Sequence, residues 1–356
     1  MLRSKKVWLG LAVSALFLVL FLYRIDYSET WDALRGANYL YVVPAIVVYF
    51  GSLWFRTLRW QYLLKHLTEA PVARLYPVTI VGYMANNILP VRLGEVVRSY
   101  YLSTRERVSA SAALGTVGVD RVYDGLTLIF FILVVAPFLP LADLLKNDAG
   151  EVIWSRVAGS VVVLAVFIGA IVVFVALAVR PGLSRRATGL LLLFVPGRAK
   201  AAVRRLAETF IDGLGSLDSV KKLLVIFVLS LPVWIMECLM YYLITLSFDS
   251  FDVSFALAMV VTATSNLVGA LPAAPGNVGT FEWAIKVTLV SFGYNPETSV
   301  AYAATLHVVL WLPVVIAGIM YLWFEHRSLK ELVRGGPAAA GAGAGGQISV
   351  EGDRKE

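Results

Sequence analysis

The sequence has 356 residues, 59% of them hydrophobic and 15% charged, with a mean hydropathy of +0.76 and a formal net charge of +7. Soluble globular chains average about 45–50% apolar and about 25% charged residues, so this chain has too little polar surface to cover itself in water, and an ordinary soluble enzyme is excluded. The basic excess fits nucleic acid or an anionic membrane surface, and a single cysteine, Cys238, excludes disulfide frameworks and thiolate metal clusters within one chain.

A membrane-spanning helix needs about 20 largely apolar residues. Six such stretches are predicted, at about 7–23, 39–60, 112–138, 153–179, 223–247 and 300–324. The first follows Arg3, Lys5 and Lys6 and runs into Arg24-Ile25-Asp26 without a small-residue cleavage site, which reads as a retained anchor rather than a signal peptide. Two further apolar stretches, 77–102 and 254–292, are broken midway by Pro, Gly and charge.

Charge counting orients the spans. With the N-terminus in the cytoplasm, the outer loops (24–38, 139–152, 248–253, 293–299) hold three basic residues, Arg24, Arg35 and Lys146, against nine acidic ones. The inner segments (1–6, 56–76, 103–111, 180–222, 325–334) hold 21 basic against seven acidic. This obeys the positive-inside rule, provided that 77–102 enters and leaves on the cytoplasmic side and 254–292 on the outer side. The expected fold is therefore an all-α polytopic membrane protein of six full transmembrane helices plus two re-entrant helical hairpins, with both termini cytoplasmic. The basic linker 180–222 either lies along anionic headgroups, at about 1 kcal/mol per charge, or only sets the topology. Nothing in it resembles a nucleic-acid motif. The membrane domain is expected to occupy 1–334, and the Gly/Ala-rich tail 335–356 to be disordered and cytoplasmic.

The broken stretches share a rhythm. The first reads Asn86-Asn87-Ile88-Leu89-Pro90-Val91-Arg92-Leu93-Gly94-Glu95; the second places Asn266 before Leu271-Pro272, then Pro275-Gly276-Asn277-Val278-Gly279-Thr280-Phe281-Glu282. Breaks at membrane depth free backbone groups that hydrocarbon cannot satisfy, so they survive only inside protein or beside a wet cavity. Each lies between two spans, which predicts inverted repeats over about 39–138 and 223–324, with a midplane site between them.

Five basic residues (Arg92, Arg98, Arg121, Arg156, Lys286) and five acidic ones (Glu95, Asp120, Asp124, Glu237, Glu282) fall in the apolar stretches. Each costs about 2.5–3.5 kcal/mol if unpaired at a helix centre in lipid. Spacing predicts a Glu95–Arg98 pair at the first tip and a Glu282–Lys286 pair at the second, with Asp120, Arg121 and Asp124 as partners of the arginine-rich first tip. Arg156 stands at the end of its span and can snorkel. The ion pairs are either static locks on the hairpins or guides for a charged headgroup; Arg92 and Arg98 suit a phosphate, as do half-helix N-termini after Pro90 and Pro275. Glu237 is either a protonatable coupling residue or a buried acid bonded to a neighbouring helix. His307 stands alone in the last span, so neither a metal site nor a cofactor is expected, and no Gly-x-Ser-x-Gly, P-loop or HExxH motif is present.

The stretch from Asn86 to Arg98, Val119-Asp120-Arg121-Val122-Tyr123-Asp124, and Pro275 to Glu282 together resemble the lysylphosphatidylglycerol synthase transmembrane family, over about residues 5–330. Asn277 stands where the family pattern suggests Gly or another small residue. The resemblance implies an integral protein of the cytoplasmic (inner) membrane that moves lipid-linked cargo between leaflets. In fused members the cargo is phosphatidylglycerol esterified with an amino acid; stand-alone members occur in glycan and hopanoid settings. The soluble acyltransferase domain of the fused members has no counterpart here, so synthase activity is not carried over. The expected function is a lipid flippase for a phosphate-bearing or aminoacylated phospholipid or other lipid-linked cargo. The alternative is a membrane-embedded transferase or an accessory subunit, with a synthase or glycosyltransferase encoded separately as partner. The candidate substrate-binding residues are Asn86, Asn87, Arg92, Glu95, Arg98, Asp120, Arg121, Asp124, Asn266, Asn277, Glu282 and Lys286.

Overall fold

The computed structural model describes residues 5–89, 93–140, 219–249, 251–269 and 274–333, together with Gly335 and scattered positions between 154 and 211. Most of the expected span at 153–179, including Arg156, more than half of the linker 180–222, the tail beyond Gly335, and Arg92 at the first tip lie outside the described residues.

Among the described residues the chain is helical and has no strand. Helix α1 (Lys5–Leu22) ends before Arg24, whose φ of 55° turns the backbone left-handed. Asp26 then caps α2 (Tyr27–Gly36), accepting from the N–H of Ser28 at 2.8 Å and of Glu29 at 3.2 Å. The pair is bent by 86°. After a turn capped by Asn38, α3 (Val42–Leu64) runs 23 residues, about 35 Å at about 1.5 Å per residue. Helices α4 (Val72–Ile88) and α5 (Gly94–Glu106) flank the first break, and Ser109 caps α6 (Ala110–Val135). The second half repeats this order. Ser219 caps α7 (Val220–Thr245), α8 (Phe255–Val268) and α9 (Thr280–Ser291) flank the second break, and Asn295 caps α10 (Pro296–Phe324).

Four of these helices, α3, α6, α7 and α10 with their flanking turns, are long and apolar enough to cross a membrane, and the bent pair α1–α2 makes a fifth if counted as one span. They carry apolar side chains on their outer faces, such as Val47, Leu133, Val228, Val308 and Ile319. That pattern suits lipid rather than water.

Helix packing follows a two-fold plan. α3 packs on α7 more extensively than any other pair, and the two run antiparallel: the Asn38 N–H donates to the Ser247 carbonyl (2.7 Å), Ser52 Oγ to the Val233 carbonyl (3.1 Å) and Arg59 Nη1 to Ser230 Oγ (2.9 Å). The main helix-to-helix contacts of the first unit recur in the second. α4 packs on α10 as α8 does on α6, α5 on α6 as α9 on α10, and α3 on α4 as α7 on α8. The first helices of the two units thus oppose each other.

Close approach at each break is set by glycine. A Cβ added at Gly94 would stand 2.2 Å from the Gly82 carbonyl oxygen, and one at Gly279 (φ +89°) 2.5 Å from the Ser14 carbonyl oxygen. α4 thus crosses α5 almost backbone to backbone, while the second break rests on α1, where Phe17 meets Trp283 edge to face at 4.8 Å.

Three apolar clusters form the core, the smallest around Leu128, Phe131, Val233 and Trp234. Of the two larger, one gathers Leu53, Met240, Ile244 and Leu306 with their neighbours, the other Trp60, Leu63, Met84 and Ile226 with theirs. Along α3 and α7 the buried polar residues Arg56, Arg59, Ser230 and Glu237 fall between the two larger clusters.

A polar cavity between the two units

Each break ends a helix where an asparagine pair or its equivalent turns inward, and both turn toward the same space. A cavity of about 260 Å³ lies between the units. Asn86, Asn87 and Leu89 reach it from the end of α4, and Asn266, Ala274, Gly276 and Asn277 from the second break. Tyr49 and Arg56 of α3, Tyr83 of α4, Arg121 of α6, and Trp234 and Glu237 of α7 form further walls, and Phe281, His307, Leu310 and Trp311 close it from α9 and α10. Asn277 takes a φ of 59°, a left-handed conformation that asparagine tolerates.

Behind this wall stands a buried ionic network. Asp124 accepts from Arg59 Nη2 at 2.7 Å, Arg121 Nη1 at 3.0 Å, Trp234 Nε1 at 3.1 Å and Arg56 Nη1 at 3.2 Å. Arg56 Nη2 reaches Glu237 at 2.5 Å, Arg59 Nε reaches Asp120 at 2.8 Å, and Arg98 Nη1 reaches Asp120 at 3.5 Å. Arg121 Nε holds Glu95 at 3.0 Å. Arginines 56, 59, 98 and 121 thus meet four carboxylates, Glu95, Asp120, Asp124 and Glu237, for a net charge of zero. Arg59 is 0% and Arg98 2% exposed. Guanidinium stacking adds to the pairing: Arg98 lies 3.7 Å from the Trp60 ring centroid and Arg56 4.4 Å from that of Trp234. Charges so deeply buried persist only when paired and hydrogen-bonded.

Several expectations are corrected. Glu95 turns to Arg121 and Arg98 to Asp120, so the two do not pair with each other. Their carbons sit on one face of α5, but α6 packs beside that face and offers each an opposite charge. Glu282 does not pair with Lys286. Its Oε2 accepts from the N–H of Gly279 at 2.7 Å and its Oε1 lies 2.5 Å from Nδ1 of His307, while Lys286 Nζ donates to the carbonyls of Phe21 (2.7 Å) and Tyr23 (3.3 Å) at the end of α1. The N-terminus of α9 is therefore occupied by its own carboxylate rather than open to an anion. His307 is not alone. Glu237 bonds to the neighbouring helix, through Arg56 and through Ser52 Oγ at 3.4 Å.

Of the expected residues, Asn86, Asn87, Arg121, Asn266 and Asn277 line the cavity, while Glu95, Arg98, Asp120, Asp124 and Glu282 stand behind it. Lys286 is remote, fastening α9 to α1. Two central residues were assigned to a cytoplasmic flank: Arg56 and Arg59. The signal was present in the spacing Ala45, Tyr49, Ser52, Leu53, Arg56, Arg59, Trp60, Leu63, one continuous helical face that the structure buries. Among the described residues no group of three or more His, Cys, Asp or Glu is placed to hold a metal ion.

A family model for the lysylphosphatidylglycerol synthase transmembrane region matches residues 7–318. The chain belongs to this family. A UPF0104 membrane protein of Methanothermobacter thermautotrophicus is 27% identical over 331 residues, covering 90% of this chain and 94% of the relative. UPF0104 membrane protein MJ1078 of Methanocaldococcus jannaschii is 24% identical over 249 residues, 69% of this chain and 96% of its own. Glycosyltransferase AglD of Haloferax volcanii is 25% identical over 338 residues, 89% of this chain and 54% of its own length. With its apolar helices, family membership makes the chain a multi-pass membrane protein.

Proposed function

We propose that the protein is a lipid flippase of the cytoplasmic membrane, passing the headgroup of a phosphate-bearing, aminoacylated or otherwise lipid-linked substrate through the cavity while the acyl chains stay in lipid. The observation that supports this most directly is that both helix breaks, one from each of two opposed units, meet at a single polar cavity. Hairpins α4–α5 and α8–α9 are then re-entrant from opposite faces, with both termini cytoplasmic, and relative rocking of the units exposes the cavity to each leaflet in turn. Arg56 and Arg121 line the passage, and Arg59, Arg98, Asp120 and Asp124 hold it open from behind.

The test is reconstitution in liposomes with fluorescent lipids, followed by leaflet-selective quenching. Wild-type protein is expected to exchange labelled lipid between leaflets, and Arg121→Gln to reduce the rate at least about tenfold, the effect of about 1.4 kcal/mol at the barrier. Unaltered exchange in that variant would count against the cavity as the route.

Similarity to AglD, a glycosyltransferase by name, favours a second reading in which the chain serves a transferase reaction. Product formation from a sugar donor in the same liposomes, without leaflet exchange, would select it.

A further inference from the structure

The two-fold plan of the fold sets a carboxylate against a base at the same place in each unit, but the two bases differ. In the first unit Glu95, at the start of α5, meets Arg121 of α6, with Nε 3.0 Å from Oε1. In the second, Glu282, at the start of α9, meets His307 of α10, with Nδ1 2.5 Å from Oε1. Arg121 and His307 each stand eleven residues beyond the first residue of their helices, Ala110 and Pro296, and both line the cavity. Asn86 and Asn266, each two residues before the end of its helix at Ile88 and Val268, keep the same register.

The chemistry changes where the geometry repeats. A guanidinium stays charged throughout the physiological range, whereas imidazole is the side chain that changes charge between about pH 5 and about pH 8. With Glu282 ionised both of its oxygens accept, Oε2 from the Gly279 N–H and Oε1 from His307 Nδ1, so a further proton adds to the lone pair of His307 Nε2. Its uptake turns a hydrogen bond from a neutral ring into an ion pair of the kind the first unit holds permanently, adding Coulomb attraction between α9 and α10. The His307 side chain is 14% and that of Glu282 10% exposed, so the cavity gives a proton access to the pair.

The pair also sits where the two breaks are tied together. Glu282 caps α9 through Gly279, and one turn beyond His307 the Trp311 Nε1 donates to the Asn87 carbonyl of the first break at 3.2 Å. The Trp311 ring lies against Gly276 of the second break, where an added Cβ would stand 3.2 Å from it, and the Phe281 ring of α9 meets the imidazole edge to face at 5.3 Å. Helix α10 packs on α2, α3, α4 and α7 as well as on α9. The ionisable groups that α3, α4 and α7 bring to the cavity are Tyr49 and Arg56, Tyr83, and Glu237, with Arg121 of α6 beyond them. Helix α2 meets the start of α10, where Asn295 donates to Glu29 and the Asp26 N–H to Glu297, and Lys286 is turned to the Phe21 and Tyr23 carbonyls. Among the described residues, Glu282 is the ionisable group bonded to His307.

Resting on the reading that the cavity passes lipid headgroups, we propose that the Glu282–His307 bridge is a proton-binding site that latches the second break: with His307 protonated it fastens α9 to α10, and with His307 neutral it lets the break open.

The full chain is reconstituted in liposomes with labelled phosphatidylglycerol or a labelled glucosyl lipid, and leaflet exchange is followed at about pH 5.5 and about pH 7.5, equal on both sides, a range in which imidazole changes charge and these headgroups do not. Exchange in the wild type is expected to be at least about threefold slower at the lower value. His307→Gln, which takes up no proton, is expected to give one rate at both values. His307→Arg, which reproduces the bridge of the first unit, is expected to hold one rate no higher than that of the wild type at the lower value. A role in packing alone would change the rate by the same factor at both values and leave the wild-type ratio in place. If exchange in the wild type is not slower at the lower value, or its pH ratio survives in either variant, the inference is overturned and the flippase reading stands. If no lipid crosses at either value, the flippase reading fails, and hydrogen exchange at the start of α9, corrected for the intrinsic effect of pH, decides the inference: greater protection at the lower value that His307→Gln abolishes supports it, and any other result overturns it.

Discussion

Asp124 is the keystone of the buried network, and its removal tests whether charge balance holds the bundle together. Three guanidiniums and one indole converge on this carboxylate at 2.7 to 3.2 Å. At an effective dielectric constant of about 20, one unit pair at about 3 Å is worth about 5–6 kcal/mol before desolvation. Three such attractions are set against the cost of burying four charges, so the net loss on removal is well below their sum. Breaking a buried pair from one side costs about 3–5 kcal/mol, and Asp124→Ala, which leaves the network at +1 and a void beside Trp234, is expected at the upper end. Asp124→Asn keeps the volume and one acceptor and is expected at the lower end. The assay is thermal unfolding in detergent micelles followed by size-exclusion chromatography. Arg121→Gln placed in the Asp124→Asn background returns the network to neutrality and is expected to recover at least half of the loss. A double variant whose destabilisation equals the sum of the two single ones would refute the charge-balance reasoning, and a loss under about 1 kcal/mol for Asp124→Ala would refute the network's structural role.

The glycine crossing and the α9 cap give two further expectations. Gly94→Ala drives a methyl into the Gly82 carbonyl and the Asn86 N–H and should destabilise by about 1–3 kcal/mol, whereas Gly125→Ala, with open space around a helical position of α6, should stabilise by about 0.5–1 kcal/mol; thermal unfolding of both variants measures the contrast. Glu282→Ala frees the Gly279 N–H and unpairs His307, and is expected to cost about 0.5–2 kcal/mol. Hydrogen exchange should accelerate at the start of α9 and leave α5 unchanged.

Much of the arrangement was legible in the chain because membrane helices obey one-dimensional rules. Length and hydropathy located α3, α6, α7 and α10, since a span needs about 20 apolar residues whatever its neighbours are. Proline and glycine located both breaks, because backbone freed in hydrocarbon must line something polar; Asn86 and Asn277 do meet at one cavity. Local spacing misled where it was used to assign partners. Glu95 lies one turn from Arg98, and Glu282 one turn from Lys286, yet a neighbour on the same helix is a weak attraction of about 0.2–0.5 kcal/mol. A carboxylate inside the bundle takes the partner that a packed neighbouring element offers, and for the half-buried Glu95 that is Arg121 on α6, for Glu282 the Gly279 N–H and His307.

Arg56 and Arg59 show the same limit from the other side. Near the end of an apolar stretch, an arginine followed by Lys65 and His66 reads as a cytoplasmic flank. Only the packing of α6 and α7 against α3 places Asp120, Asp124 and Glu237 around these two residues and turns a topology signal into the centre of the molecule. The sequence by itself determined that the chain is built of apolar helices and where two of its apolar stretches break, because these depend on the cost of exposing backbone or charge to lipid. Which charge meets which, and therefore that four arginines and four carboxylates balance one another among the described residues, was decided by tertiary structure alone, because ion pairing depends on distances between helices that no spacing along the chain records.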